Sequence, residues 1–198
     1  MAARVPDDDA RRSLVPSRRG DVPEVQLLPM RRRHLRSVLG IEAQVYPRPW
    51  TMSLFLSELA LRSSRAYFVA RVGRDVVGYG GLMMSADDGH VTTLAVDPRW
   101  QRHQIGTRLL LVLAREAIAR EARSLTLEVR LSNRAAQELY RRFGFAPVGV
   151  RKNYYAETNE DALVMWAHEA QRAEYTDLLE GIERQVEGET VVEAPRRW

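Results

Sequence analysis

The stretch from Val91 to Gly106, VTTLAVDPRWQRHQIG, constrains this chain more than any other. An apolar strand pattern ends at Asp97-Pro98, a short loop rich in Arg and Gln follows, and Ile105-Gly106 opens a strongly helical run, TRLLLVLAREAIARE. A strand that passes into a helix through so short a loop aims several backbone N–H groups, and the positive end of the helix dipole, at one point beyond the strand. Such a point suits a pyrophosphate, and the side chains of Arg102, His103 and Arg108 are expected to add positive charge there. The stretch therefore reads as the site of a phosphorylated cofactor.

The rest of the chain sets the frame. With 198 residues, 45% of them hydrophobic and 28% charged, there is material for one domain with a full core plus tails. No apolar run reaches the length of a membrane span. The opening residues MAARVPDDDARRS lack the apolar core of a secretory signal. Cysteine is absent, which excludes disulfides and thiolate chemistry and leads us to expect a cytoplasmic protein without membrane association. A net charge of +4 fits an anionic cofactor, a ribonucleoprotein partner or an arginine-rich genome, and does not choose among them.

Residues 1–23 mix Arg, Asp, Pro and Ser with little periodic hydrophobicity and read as a flexible N-terminal arm. The globular domain is expected over residues 24–168. Val25 to Met30 suits an edge strand, and Arg33 to Val45 a helix. Tyr46-Pro47-Arg48-Pro49-Trp50 must be a loop, because two prolines cannot sit inside a helix. Thr51 caps a second helix that turns Leu54, Phe55 and Leu59 inward. Tyr67 to Val72 and Val76 to Met84 form a hairpin about Gly73-Arg74-Asp75, and His90 to Val96 a central strand. After the helix that ends near Ala122 come a strand from Ser124 to Leu131, a helix from Asn133 to Arg142 stopped by Gly144, and strands Ala146 to Arg151 and Ala162 to Ala167. Residues 169–198 hold a C-terminal helix, with Tyr175, Leu178, Leu179, Ile182 and Val186 at helical spacing, and a tail. Its apolar stripe is expected on the domain or on a partner protein. The order of elements is mixed α/β with one main sheet.

Some single residues carry two readings. Glu128, on the strand face opposite the leucines, is either a solvated carboxylate or a base. Tyr140 lies two helical turns after Asn133 on the same face and reads as a core tyrosine beside Phe143 and Phe145. Asn133 reads as a helix cap. Tyr154 and Tyr155 are strand-edge aromatics or substrate contacts. His34, His90, His103 and His168 show no metal-ligand spacing, so no metal is expected. The run Gly78-Tyr79-Gly80-Gly81 reads as close backbone packing in a strand.

Three segments, AVDPRWQRHQIGTRLL, LEVRLSNRAAQELYRRFGF and RKNYYAETNEDALVM, resemble the GNAT acetyltransferases, and within them the bacterial ribosomal-protein-alanine N-acetyltransferases. The resemblance runs from about Val25 to Trp166 and leaves both tails outside. It implies a GNAT fold: a mixed, mostly antiparallel central sheet of about six to seven strands flanked by about four helices, to which this chain adds the C-terminal helix. It implies acetyl-CoA as cosubstrate, with the backbone of Leu94, Ala95 and Val96 pairing to its pantetheine arm. Arg102, His103, Gln104, Ile105, Gly106 and Thr107 would wrap its pyrophosphate, and Asn133 would contact it. The loop in this family reads Gln or Arg, two residues, Gly, one residue, then Gly or Ala. Here Gln101 and Gly106 fit, but Gln104 replaces the first glycine. If Gln104 keeps a negative φ its N–H can still donate, so the change touches affinity and not the identity of the cofactor.

The resemblance further implies Glu128 as general base and Tyr140 as the acid toward the departing thiolate. It places acceptor recognition on Tyr46, Trp50, Arg151, Asn153, Tyr154 and Tyr155. The implied reaction moves acetyl to a protein N-terminal α-amine, that of the alanine opening ribosomal protein S18, by direct attack in a ternary complex. An enzyme of this kind is expected as a monomer or weak dimer, with no nucleic acid as its main partner. The competing readings are an acetyltransferase of broader specificity toward N-termini, lysines or small amines, and a non-catalytic ribosome-associated module.

Overall fold

The structure, a computed structural model, describes residues 24–193. The expected N-terminal arm and the closing residues 194–198 lie outside the described residues. In chain order the elements are β1 (Val25–Pro29), α1 (Leu35–Val45), α2 (Met52–Ala60), β2 (Arg65–Val72), β3 (Asp75–Ser85), β4 (Asp88–Val96), α3 (Ile105–Ala119), β5 (Ser124–Arg130), α4 (Arg134–Arg142), β6 (Ala146–Tyr155), β7 (Glu160–Ala167), α5 (Ala173–Arg184) and β8 (Thr190–Val192). One mixed sheet of eight strands runs β6-β7-β5-β4-β3-β2-β1-β8. The count exceeds the six to seven expected because the tail supplies a strand of its own. β8 pairs in parallel with β1, Val25 opposite Thr190 and Leu27 opposite Val192. β1 is therefore an inner strand and not the sheet edge that its sequence indicates: its free N–H and C=O groups are taken up by the chain's own tail.

Two cores flank the sheet. On one side α3 lies across the strands, with Leu109, Leu110, Leu113 and Ala117 buried, and the α5 residues Tyr175, Leu179 and Ile182 join the same core. The apolar stripe of the C-terminal helix thus lies on the domain, although Leu178 remains 37% exposed. On the other side α1 and α2 cover Tyr67, Val69 and Tyr79 through Leu35, Val38, Ile41 and Phe55. Thr51 does cap α2 through Leu54 N–H, but only Phe55 is buried there and Leu54 faces outward.

The glycine run in β3 owes its composition to this close packing. A Cβ on Gly81 would overlap the Tyr67 ring, and one on Gly80 would sit 2.9 Å from Leu113 Cδ1. Glycines there admit an aromatic ring on one face of the sheet and α3 on the other.

The feature that positions the site is the seam between β4 and β5. These parallel strands pair only over Asp88–His90 and Ser124–Thr126, while β4 continues to Val96 and β5 to Arg130. Beyond His90 the two strands separate, and the sheet opens into a wedge between its two halves.

Candidate active site

The β4 wall of the wedge is made of backbone. Asp97 N–H donates to Val77 C=O at 2.9 Å, and the register sets Ala95 opposite Tyr79 and Thr93 opposite Gly81. In an antiparallel ladder the direction of the backbone groups alternates, so Ala95 and Thr93 turn theirs toward β3 while Leu94 and Val96 turn theirs into the wedge. Of the three residues expected to offer backbone there, Ala95 does not. Tyr46, from the proline-flanked loop, reaches the same wall: its hydroxyl donates to Leu94 C=O at 3.1 Å and lies 3.4 Å from Thr93 Oγ1.

Below the wedge, the loop into α3 is pinned at both ends. Trp100 is buried. The Asp97 carboxylate takes Arg99 N–H at 2.9 Å and the Arg99 guanidinium at 2.8 Å. Burial works against the charge on Asp97, but the bonds from Arg99 outweigh it and hold its carboxyl below the ordinary value. The first intrahelical bond runs from Arg108 N–H to Gln104 C=O, at 3.0 Å, so the N–H groups of Ile105, Gly106 and Thr107 have no intrahelical partner. A Cβ on Gly106 would meet only Leu139 Cδ2 at 3.4 Å and Val96 Cγ2 at 3.8 Å. Protein packing does not demand glycine here, and its effect is to keep the backbone approachable.

Two expectations for this loop are corrected. Gln104 does not keep a negative φ: it sits in the left-handed region at φ 58°, and Arg102 does so at 67°. The backbone path that a glycine would take is kept, at a steric cost. Arg108 does not turn to the loop's open face. Its side chain is buried and donates to Glu187 C=O and Thr190 Oγ1 in the tail, because its position in the first turn of α3 faces the sheet edge where β8 lies.

Glu128 stands on the β5 wall with its side chain only 7% exposed. One carboxylate oxygen lies 3.2 Å from His90 Nε2, and the other lies 3.2 Å from Arg151. Histidine spacing along the chain gives no sign of this role for His90. The signal lies elsewhere: His90 is the last β4 residue paired with β5 before the seam opens. Burial lowers the pKa of His90; Glu128 opposes that shift, and Arg151 and Arg65 reinforce it. His90 Nε2 faces the carboxylate, so a proton carried on that nitrogen points at Glu128.

Tyr140, on α4, is 7% exposed, with its ring 5.9 Å from that of Phe145. Burial pushes its phenol up, and Tyr46 and Tyr155 add to the shift. That ordering places the three tyrosines within electrostatic reach of one another at the wedge. The packing of its ring is that of a core tyrosine. Asn133 caps α4, with Oδ1 accepting Ala136 N–H at 3.1 Å.

Of the residues expected to meet the acceptor, Arg151, Tyr154 and Tyr155 stand near Glu128. Tyr155 OH lies 3.5 Å from Glu128 C=O, and its ring carries the Arg130 guanidinium 3.9 Å from the ring centre. Tyr154 packs edge-on against Tyr155 at 5.1 Å. Arg151 is 58% exposed and covers Glu128 from outside. Asn153 takes a positive φ of 49°, and its N–H is held by Asp161 at 2.7 Å. Across the wedge, buried Glu42 on α1 accepts Trp50 N–H at 3.0 Å and also bonds the Tyr79 hydroxyl. This fixes the loop that carries Tyr46 and Trp50. Sequence periodicity gives Glu42 only as a member of the inward face of α1. Its burial raises its pKa, against the lowering effect of those two bonds.

Comparisons with known proteins agree with this architecture. Residues 35–145 match the Acetyltransferase (GNAT) family. The ribosomal protein bS18-alanine N-acetyltransferase of Escherichia coli (strain K12) is 34% identical over 133 residues, which is 66% of this chain and 88% of that protein. The N-alpha-acetyltransferase RimI of Mycobacterium tuberculosis (strain ATCC 25618 / H37Rv) is 35% identical over 154 residues, covering 73% and 93%. The crystal structure of the Escherichia coli ribosomal-protein-S18-alanine N-acetyltransferase superposes with a TM-score of 0.68 at 29% identity, over 76% of this chain and 97% of that one. The split sheet, the backbone wall and the helix-entering loop therefore belong to an acetyl-CoA-dependent N-acetyltransferase, and the chain is a member of the GNAT family.

Proposed function

We propose that this enzyme acetylates the N-terminal α-amine of a protein, the alanine that opens ribosomal protein S18, in a cytoplasmic ternary complex with acetyl-CoA. The observation that carries the reading is the seam: a nearly buried carboxylate on one wall faces open backbone groups on the other, and relatives named for bS18-alanine acetylation share the fold.

The residues present fit the cosubstrate. Leu94 and Val96 offer N–H groups to an amide-bearing arm, in the manner of an added strand. The unpaired N–H groups of Ile105, Gly106 and Thr107 suit a diphosphate, with Arg102, His103 and Gln104 completing the loop. Asn133 keeps its amide NH2 for the same ligand while its Oδ1 caps α4. When bound, acetyl-CoA supplies the activated acetyl group.

The chain's own residues do the rest. At pH 7 an α-amine of pKa about 7.7–8.0 lacks only about 1 kcal/mol of being neutral, whereas a lysine near 10.4 lacks about 4–5 kcal/mol. The α-amine meets that small deficit by losing one proton to water; as the neutral nitrogen bonds to the acetyl carbon and the C–S bond breaks to leave a thiolate, Glu128, directly or through a water, takes the second proton. Tyr140 then acts as hydrogen-bond donor to the departing sulfur. Its raised pKa keeps it protonated, and full transfer to a thiolate of ordinary pKa about 8.5 would run uphill. Tyr46, Trp50, Arg151, Tyr154 and Tyr155 line the path of the acceptor. An arriving ammonium group replaces Arg151 on the outer oxygen of Glu128.

The test is acetyl transfer to two synthetic peptides of the host's S18 N-terminus, one with a free terminal alanine and one with that amine blocked and its lysines free, read by mass spectrometry. The expected product is one acetyl group on the α-amine of the first peptide. Comparable rates on the blocked peptide or on polyamines would replace the narrow reading with a broad-specificity enzyme.

A further inference from the structure

Gln104 stands where a glycine would reach the left-handed region without steric cost, yet its φ is 58°. Its side chain shows what holds it there. Oε1 accepts Glu187 N–H at 2.8 Å, and Nε2 donates to Gln185 C=O at 3.2 Å. One turn further along α3, the guanidinium of Arg108 donates to the carbonyls of Glu187 and Glu189 and to the Thr190 hydroxyl. No acidic side chain among the described residues pairs with this buried cation, and its polar partners all come from the same short piece of tail. That piece is itself rooted: α5 precedes it with Tyr175, Leu179 and Ile182 in the core, and β8 follows it on the edge of β1. The tail thus grips both sides of the helix start whose N–H groups face the pyrophosphate site.

We propose that Gln104 and Arg108 are positioning residues through which the C-terminal segment 185–192 holds the coenzyme A loop in its binding shape. The proposal rests on the reading of Arg102 to Thr107 as that loop. A glycine in place of Gln104 would sample the required backbone freely and need no partner. The glutamine enters it against steric preference, and its two side-chain bonds to the tail fix that backbone before the ligand arrives, which lowers the ordering cost of binding. The tail is then a part of the cosubstrate site that acts from behind it.

Calorimetric titration with coenzyme A separates this role from a merely structural one. The proteins compared are the full chain, Gln104→Ala, Gln104→Gly and a chain ended after Val186, the last made both with the parent loop and with Gln104→Gly. Gln104→Ala is expected to weaken binding about tenfold, the scale of one L-residue held left-handed without support. Gln104→Gly is expected to bind within about threefold of the parent, because glycine needs no clamp. Shortening the chain is expected to cost about tenfold with the parent loop and under about threefold when combined with Gln104→Gly, and this non-additivity measures the coupling. Equal affinity in the alanine, glycine and parent proteins overturns the proposal, as does a truncation cost that is the same in both backgrounds. If the shortened chain does not fold, by circular dichroism, the alanine–glycine pair alone decides in the same terms. A parent protein that ignores coenzyme A at millimolar concentration overturns the reading of the loop itself, whatever the variants do.

Discussion

The two halves of the sheet that meet at the seam are built on different principles. On one side, β8-β1-β2-β3-β4 is a near-continuous ladder buried under helices on both faces. Its contribution to the wedge is main chain, the turned-out groups of Leu94 and Val96 and the start of α3. On the other side, β5-β7-β6 ends in a hairpin whose outer strand is exposed over almost its whole length. That hairpin is held by ion pairs, Arg130 with Glu157 at 2.5 Å and with Glu160 at 3.0 Å, and Lys152 with Asp161 at 2.8 Å. Its contribution is side chains: Glu128, Arg151, Tyr154 and Tyr155. A cosubstrate that never varies can be read by backbone, which few substitutions disturb. The proposed acceptor, by contrast, would be met by side chains of an exposed hairpin.

The comparison breaks most visibly at the seam. If Glu128 is the base, Glu128→Gln lowers kcat by roughly 10²- to 10⁴-fold and leaves the KM for acetyl-CoA within about twofold, as steady-state rates at varied cosubstrate would show. If instead it serves only to tie His90 and Arg151 together, melting temperature falls and kcat does not. Tyr140→Phe is expected to have the next largest effect, a loss of about tenfold to a hundredfold in kcat. Thermal stability should be nearly unchanged, because the ring that packs on Phe145 is retained. A kcat equal to the parent's would return Tyr140 to the core alone.

Glu42 probes the side that carries the backbone wall. Glu42→Ala strands the Trp50 N–H and the Tyr79 hydroxyl, which both lose their acceptor, and should cost about 2–3 kcal/mol in chemical denaturation. Its pH dependence has a definite sign. Because the folded-state pKa is raised above an ordinary value near 4.5, the protonated form is favoured by the fold. That contribution is complete below the ordinary value and is lost as pH rises through the raised one. Glu42→Gln cannot titrate, so the stability of the parent relative to this variant should decline as pH rises above the ordinary value near 4.5. A constant difference would mean that the two bonds to Glu42 cancel its burial.

How far each half could be read from sequence follows from the same contrast. The apolar alternation of Leu125, Leu127 and Val129 puts Glu128 on the opposite face, and the strand-loop-helix pattern at Asp97 to Gly106 gives the place of the phosphate loop. Local periodicity carries both. Three things escaped it because they depend on contacts distant in the chain. His90 meets Glu128 only because β4 and β5 are neighbours before they part. The direction of the Ala95 backbone is set by its register against Tyr79. Gln104 and Arg108 find their partners some eighty residues later, in a tail that reads as a helix and an acidic stretch with no strand in it. β8 has only three residues, too few for alternation to show.

The smallest expected effect lies on the exposed half and tests its share of the division most directly. Arg151 is 58% exposed and pairs with one oxygen of Glu128, and a pair so open to solvent is worth about 0.2–1 kcal/mol. Arg151→Gln should therefore leave kcat within about twofold and the KM for acetyl-CoA unchanged. Because the arriving ammonium then has no Arg151 pair to displace, the KM for the acceptor peptide should fall by about two- to fivefold, since about 0.5–1 kcal/mol converts to that range. Peptide titrations at saturating acetyl-CoA would measure it. An acceptor KM that moves together with the acetyl-CoA KM would show that the hairpin shapes the cosubstrate's half of the wedge too, and the two sides of the seam would no longer be separable by what they bind.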